Sequence, residues 1–211
     1  EMIFSTKSMK QLEAMRIEPD EFSESLLERH GKYAWCFDSL IDQFSGHSTQ
    51  ELTSECFAKF TKDFDISDDS LILNQLYDIF NYLRLYREGG VFRLFKGRQA
   101  EWGGPKIRIT ELDVPPWDSS ELNKIMTVYR GMIKSEYDSG KYGQSWTVQK
   151  KVASRFANET YSGTESGIIV KVDVCRESII YFDSNDYEGE VILKNDSVLK
   201  DDILYIESGV L

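Results

Sequence analysis

Two glutamates two residues apart, Glu188 and Glu190, introduce the apolar run Val191-Ile192-Leu193. Alternate residues of a strand point to one face, so a shared strand makes the two carboxylates converge beside an apolar sheet. If Glu188 belongs to the preceding loop instead, Glu190 is fixed and Glu188 can swing over whatever Glu190 holds. Either arrangement suits a reaction with a positively charged transition state. Two upstream segments give the pair its weight. Ile125-Met126-Thr127-Val128-Tyr129-Arg130-Gly131-Met132 reads as a strand ended by an arginine and a glycine. The guanidinium fork suits phosphate oxygens, and a glycine admits close approach to the backbone. Gly143-Gln144-Ser145-Trp146-Thr147 leads into a helical pattern, with Val148, Val152, Ala153, Phe156 and Ala157 on one face and Thr147 as the expected N-cap. Simpler readings exist for both: an edge-strand arginine before a turn, and a capped helix after a structural tryptophan.

In type and order, Arg130, the Ser145-Trp146-Thr147 segment and Glu188-x-Glu190 resemble the R-S-E class of mono-ADP-ribosyltransferases, the bacterial and phage ADP-ribosylating toxins and effectors. The resemblance covers residues 125–211, or 85–211 if Val91-Phe92-Arg93-Leu94-Phe95 forms a strand of the same core. The family's second motif is often Ser-Thr-Ser; this chain departs at its last position, where Val148 stands. The related diphtheria-type branch uses a first-strand histidine. Here the two histidines, His30 and His47, both lie far upstream, which favours the R-S-E branch.

The resemblance implies NAD as substrate, cleaved between nicotinamide and ribose, with no metal. It implies Glu190 as the carboxylate that holds the ribose and steadies the oxocarbenium charge, and Ser145 as its hydrogen-bonding partner. Arg130 is implied at the pyrophosphate, with Arg98 as a competitor, and the Gly131 backbone at the nicotinamide amide. Trp146 and Thr147 complete the cofactor-binding segment. Glu188 is implied to orient the acceptor and help remove its proton, since a guanidinium with a pKa above about 12 is a poor nucleophile. Tyr187 and Phe182 fall in the acceptor-contacting loop, although packing explains them equally well. Arg155 and Tyr161 fall near a nicotinamide-covering loop, without a firm role. The expected acceptor is an arginine of a target protein. A nucleic-acid base, as in toxin–antitoxin enzymes, and a non-enzymatic interaction protein that keeps the fold are the alternatives. An antitoxin or other neutralising partner is a further implied partner.

Net charge is −11, with 14 basic against 18 acidic groups over residues 1–110 and 11 against 18 over 111–211. Neither half is a basic nucleic-acid surface, and acidity favours a cationic acceptor. Cys36, Cys56 and Cys175 have no paired spacing, which with the lack of a signal-like start predicts a reducing, cytoplasmic setting. No apolar run approaches membrane-spanning length.

The elements that must position these residues divide into two kinds. Helix patterns occupy residues 22–30, 33–44, 51–64 and 70–86, with a Ser48–Glu51 capping box before the third. Glu88-Gly89-Gly90 ends the last helix. Strands are expected at 91–95, 106–109, 125–132, 168–174, 178–182, 191–194 and 203–206. In 168–174, Ile168, Val170, Val172 and Val174 share one face, and Lys171 and Asp173 the other. The sequence thus predicts an α+β protein: a helical region, 1–90, packed on a split, mostly antiparallel β-sandwich core of the ADP-ribosyltransferase type, 91–211.

Overall fold

A computed structural model describes residues 3–30, 36–44, 50–66, 70–97, 107–120, 122–160 and 167–208. His47, Ser48, the Gly103-Gly104-Pro105 loop, Arg98 and Tyr161 lie outside the described residues, as do the side chains of His30, Glu51 and Cys56. The chain forms two compact units, Glu1–Ile109 and Thr110–Leu211.

The first unit is helical: α1 Thr6–Ala14, α2 Pro19–His30, α3 Cys36–Phe44, α4 Gln50–Asp63 and α5 Ser70–Phe95. Ser5 caps α1 by accepting the Ser8 N–H. The backbone N–H of Ser5 bonds in turn to Asp38 at 2.8 Å, tying the start of α1 to α3. Leu12, Phe22, Phe37, Leu40, Ile41 and Phe60 are almost wholly removed from water. Each such side chain contributes about 1.5–3 kcal/mol.

Residues 91–95 are helical rather than extended, and the expected boundary after residue 90 falls inside α5 at a kink. Gly90 takes φ 67°, a left-handed conformation that breaks the helix axis. The helix restarts because Leu94 and Phe95 are both buried. A five-residue apolar run cannot by its pattern distinguish helix from strand. Ile107–Ile109 likewise form no strand; Ile107 and Ile109 are buried in irregular chain.

Among its described residues the second unit holds one antiparallel sheet of six strands: β1 Ile125–Ile133, β2 Ser145–Thr147, β3 Gly167–Cys175, β4 Ile179–Phe182, β5 Glu190–Leu193 and β6 Tyr205–Ser208, in the order β4-β5-β2-β1-β3-β6. Two short helices intervene, α6 Lys134–Ser139 and α7 Lys150–Arg155, and α7 passes into a π-helical turn, Phe156–Thr160. The α+β class is therefore as expected, but the strands form a single hydrogen-bonded sheet rather than two stacked ones. A seam runs through it. β1 and β3 pair along their whole length, from Ile125↔Cys175 to Ile133↔Gly167, whereas β1 meets β2 only at Tyr129↔Thr147.

The two faces follow from strand alternation. Val128 and Met132 of β1, Ile168, Val170, Val172 and Val174 of β3, and Val191 and Leu193 of β5 form the main core, together with Trp146. The opposite face carries Tyr129 and Ile169, covered by Ala153 and Ala157. Here α7 and the turn after it lie almost on the backbone. A Cβ at Gly131 would fall 1.9 Å from the Ala153 carbonyl oxygen, and one at Gly167 would fall 2.0 Å from that of Ala157.

Candidate active site

The geometry at the two glutamates is decided by where β5 begins. Glu190 is its first residue; Glu188 lies in the turn before it. That turn is closed by a 2.9 Å bond from the Gly189 N–H to the Asp186 carbonyl, and Gly189 takes φ +57°. A side chain there would meet Val148 Cγ2 at 2.7 Å, so glycine is required on both counts. Of the two arrangements open from sequence, the structure has the second: one glutamate on the sheet, one in the loop.

β2 runs antiparallel to β5, with Thr147 opposite Glu190 and Ser145 opposite Ile192. Ser145 and Thr147 therefore share the side of β2 on which Glu190 projects. The Ser145 hydroxyl donates to Glu190 Oε1 at 2.5 Å. The Thr147 hydroxyl donates to the Glu188 carbonyl at 2.6 Å and accepts the Gln149 N–H at 2.9 Å. The N-cap of α7 is Gln149, not Thr147, because Thr147 is the last residue of β2 and its hydroxyl serves the turn that leads into the helix. Gln149 also donates its side-chain amide to the Tyr187 carbonyl at 3.0 Å. The loop bearing Glu188 is thus pinned to β2 and the start of α7 from both sides.

Glu188 is paired through Oε1 with Nη2 of Arg155. Tyr187 is 80% exposed beside it. Its phenol bonds to the Glu188 carboxylate, which raises its pKa above the ordinary value; the nearby negative charge acts in the same direction.

Arg130 projects to the opposite face of β1 from Tyr129. Its Nε and Nη2 donate to Glu136 Oε1 at 3.0 and 2.8 Å, and its Nη1 donates to the Ser145 carbonyl. The same Glu136 oxygen accepts the Gly143 N–H at 2.9 Å. Both side chains of this ion pair are largely buried, 14% exposed for Arg130 and 5% for Glu136. The arginine therefore spans the seam between β1 and β2 and holds the backbone of the residue whose hydroxyl holds Glu190.

Trp146 points into the core, 3% exposed, with its indole N–H donating to the Gly143 carbonyl at 3.0 Å and its ring edge-on to Tyr142. The space that a side chain at Gly131 would need is filled by α7. The structure thus brings Ser145, Thr147, Glu188 and Glu190 together on one side of the sheet. Arg130 joins them through the backbone, Trp146 packs beneath, and Gly131 lies under the helix.

Among protein-family models, curated proteins and solved structures, none matches this chain.

Glu136 is the residue that sequence reasoning missed. It sits in the short helix α6 beside an ordinary Lys134–Asp138 pair, and no local pattern separates a buried carboxylate there from a solvated one. Arg155 was visible as a candidate without a role; its partner is Glu188. Among the described residues no group of His, Cys, Asp and Glu is arranged to hold a metal ion, and no helix is long and apolar enough to cross a membrane. The chemistry open to the site is that of two carboxylates held differently: Glu190 by a serine on rigid sheet, Glu188 by an arginine in a turn. Such a pair can steady a cationic sugar centre with one group and take a proton with the other.

Proposed function

We propose that the chain is a mono-ADP-ribosyltransferase, cleaving NAD at the nicotinamide–ribose bond and transferring ADP-ribose to an arginine of a target protein. The observation that carries this reading is the 2.5 Å hydrogen bond from Ser145 to Glu190, with a second glutamate in the loop two residues earlier. A serine that fixes a carboxylate at a strand start, beside a second carboxylate in the preceding turn, is the arrangement such a reaction needs.

In this mechanism Glu190 accepts a hydrogen bond from a ribose hydroxyl and stabilises the positive charge that grows as nicotinamide departs. Ser145 keeps that carboxylate in one orientation. Glu188 receives the acceptor guanidinium and takes its proton as the new bond forms. Arg130 acts as a positioning residue through the Ser145 carbonyl. A guanidinium has five N–H donors. Glu136 and the Ser145 carbonyl engage three of these on the face of β1 opposite Glu190, so its part here is to hold β2 rather than to clamp the pyrophosphate.

The test is incubation with labelled NAD and a cell lysate, separated afterwards into protein and nucleic acid. Nicotinamide release and label in protein are expected. Label in nucleic acid would move the acceptor to a base, and absence of both NAD binding and nicotinamide release would overturn the reading.

A further inference from the structure

We propose that Arg155 is a self-modification site: an arginine of the chain's own that occupies the acceptor position at Glu188 and takes ADP-ribose in cis. The inference rests on the transferase reading above. The carboxylate assigned there to receive a guanidinium already holds one, Nη2 of Arg155 against Glu188 Oε1. The pair is open to solvent, 42% exposed at Arg155 and 24% at Glu188. An exposed pair of this kind stabilises a fold very little, so packing gives no strong reason for it.

The surroundings hold the guanidinium where a nucleophile is wanted. Arg155 ends α7, and its guanidinium carbon stands 5.6 Å from the centre of the Phe156 ring, a cation–π distance. Glu188 is steadied from below by the Thr147 hydroxyl on its carbonyl. Glu190, two residues on, is bound by Ser145. Substrate ribose on Glu190 and guanidinium on Glu188 are therefore carried by one turn of chain.

The step balances without a further reagent. The bond between the nicotinamide nitrogen and the ribose carbon breaks, and its electron pair leaves with nicotinamide. A nitrogen of the Arg155 guanidinium forms the new bond to that carbon and passes one proton through Glu188 to water.

The experiment uses the full chain with labelled NAD alone, then with agmatine as a small guanidine acceptor. Peptide mass spectrometry is expected to find ADP-ribose on Arg155, at a fractional rate independent of protein concentration and lowered by agmatine. Arg155→Lys should lose the label. Agmatine modified with Arg155 bare, or label only on other residues, overturns this inference and leaves the transferase reading standing. Labelling whose rate rises with protein concentration overturns the assignment in cis. If agmatine is unmodified and no nicotinamide is released, the transferase reading fails and this inference with it.

Discussion

Replacing Ser145 with alanine removes one hydroxyl and leaves its neighbourhood in place. The Ser145 carbonyl still receives Arg130, and the pairing of β2 with β5 does not depend on the side chain. What is lost is the 2.5 Å bond to Glu190. A hydrogen bond to a charged group is worth about 1.5–3 kcal/mol. In the empty site water can replace it, because Ser145 and Glu190 are only partly buried. With substrate excluding water, the loss is felt in full at the transition state. At about 1.4 kcal/mol per tenfold, nicotinamide release should slow by roughly 10- to 150-fold. Global stability in urea should fall by only about 1 kcal/mol. The assay is nicotinamide release under saturating NAD, run beside urea unfolding of the same preparation. A fall in rate of less than about threefold, or one that merely tracks the unfolded fraction, would refute the assignment of Ser145 as the group that orients Glu190.

Glu190→Gln is close to isosteric but removes the charge that faces the oxocarbenium centre, so nicotinamide release should drop to near background with an unchanged circular dichroism spectrum; substantial turnover would remove Glu190 from the chemistry. Glu188→Gln should abolish transfer to the acceptor while sparing part of the slow hydrolysis of NAD, measured in parallel on one preparation; equal loss of both would give Glu188 a role on NAD as well. Glu136→Ala strands the Arg130 guanidinium in a largely buried site and should destabilise the fold by about 3–5 kcal/mol in urea, an effect that a solvated surface pair would not produce. Burial pushes the Cys36 thiol up to about 11 from an ordinary 9.0, so at pH 8 a thiol reagent should label the exposed Cys175 and spare Cys36 until the chain unfolds. Rapid labelling of Cys36 in the folded protein would contradict its burial.

Much of the candidate site could be read along the chain because its parts are local. β-branched and aromatic residues mark β1, the alternation of Ile168, Val170, Val172 and Val174 marks β3, and Glu190 opens β5 as the apolar run implied. The parts that could not be read are made by contacts distant in sequence. Residues 91–95 carry a pattern compatible with either element, and the burial of Leu94 and Phe95 selects helix. The guanidinium of Arg130 looks, from its neighbours, like a free phosphate clamp; only the fold brings Glu136 and the Ser145 carbonyl to it. Trp146 likewise resembles a ligand-facing aromatic in a motif, but strand alternation sends it to the face opposite Ser145. The seam between β1 and β2 has no signature at all, since it depends on how far two strands stay in register.

The closeness of α7 to the sheet changes how mutational scans of this protein should be interpreted. Gly131 follows the arginine of a catalytic-looking motif, and inactivation on substituting it would ordinarily be credited to lost substrate contact. Yet an added methyl there would be driven into the Ala153 carbonyl and the Ala157 N–H, at 1.9 and 2.7 Å. Intolerance at this position therefore carries no information about the ligand. The same holds at Gly167, which lies on a different strand and in no motif but meets the same segment of chain. The two glycines form a matched pair of sensors for helix docking. A substitution at either should produce the same phenotype, and a phenotype peculiar to Gly131 is the one that would speak for chemistry.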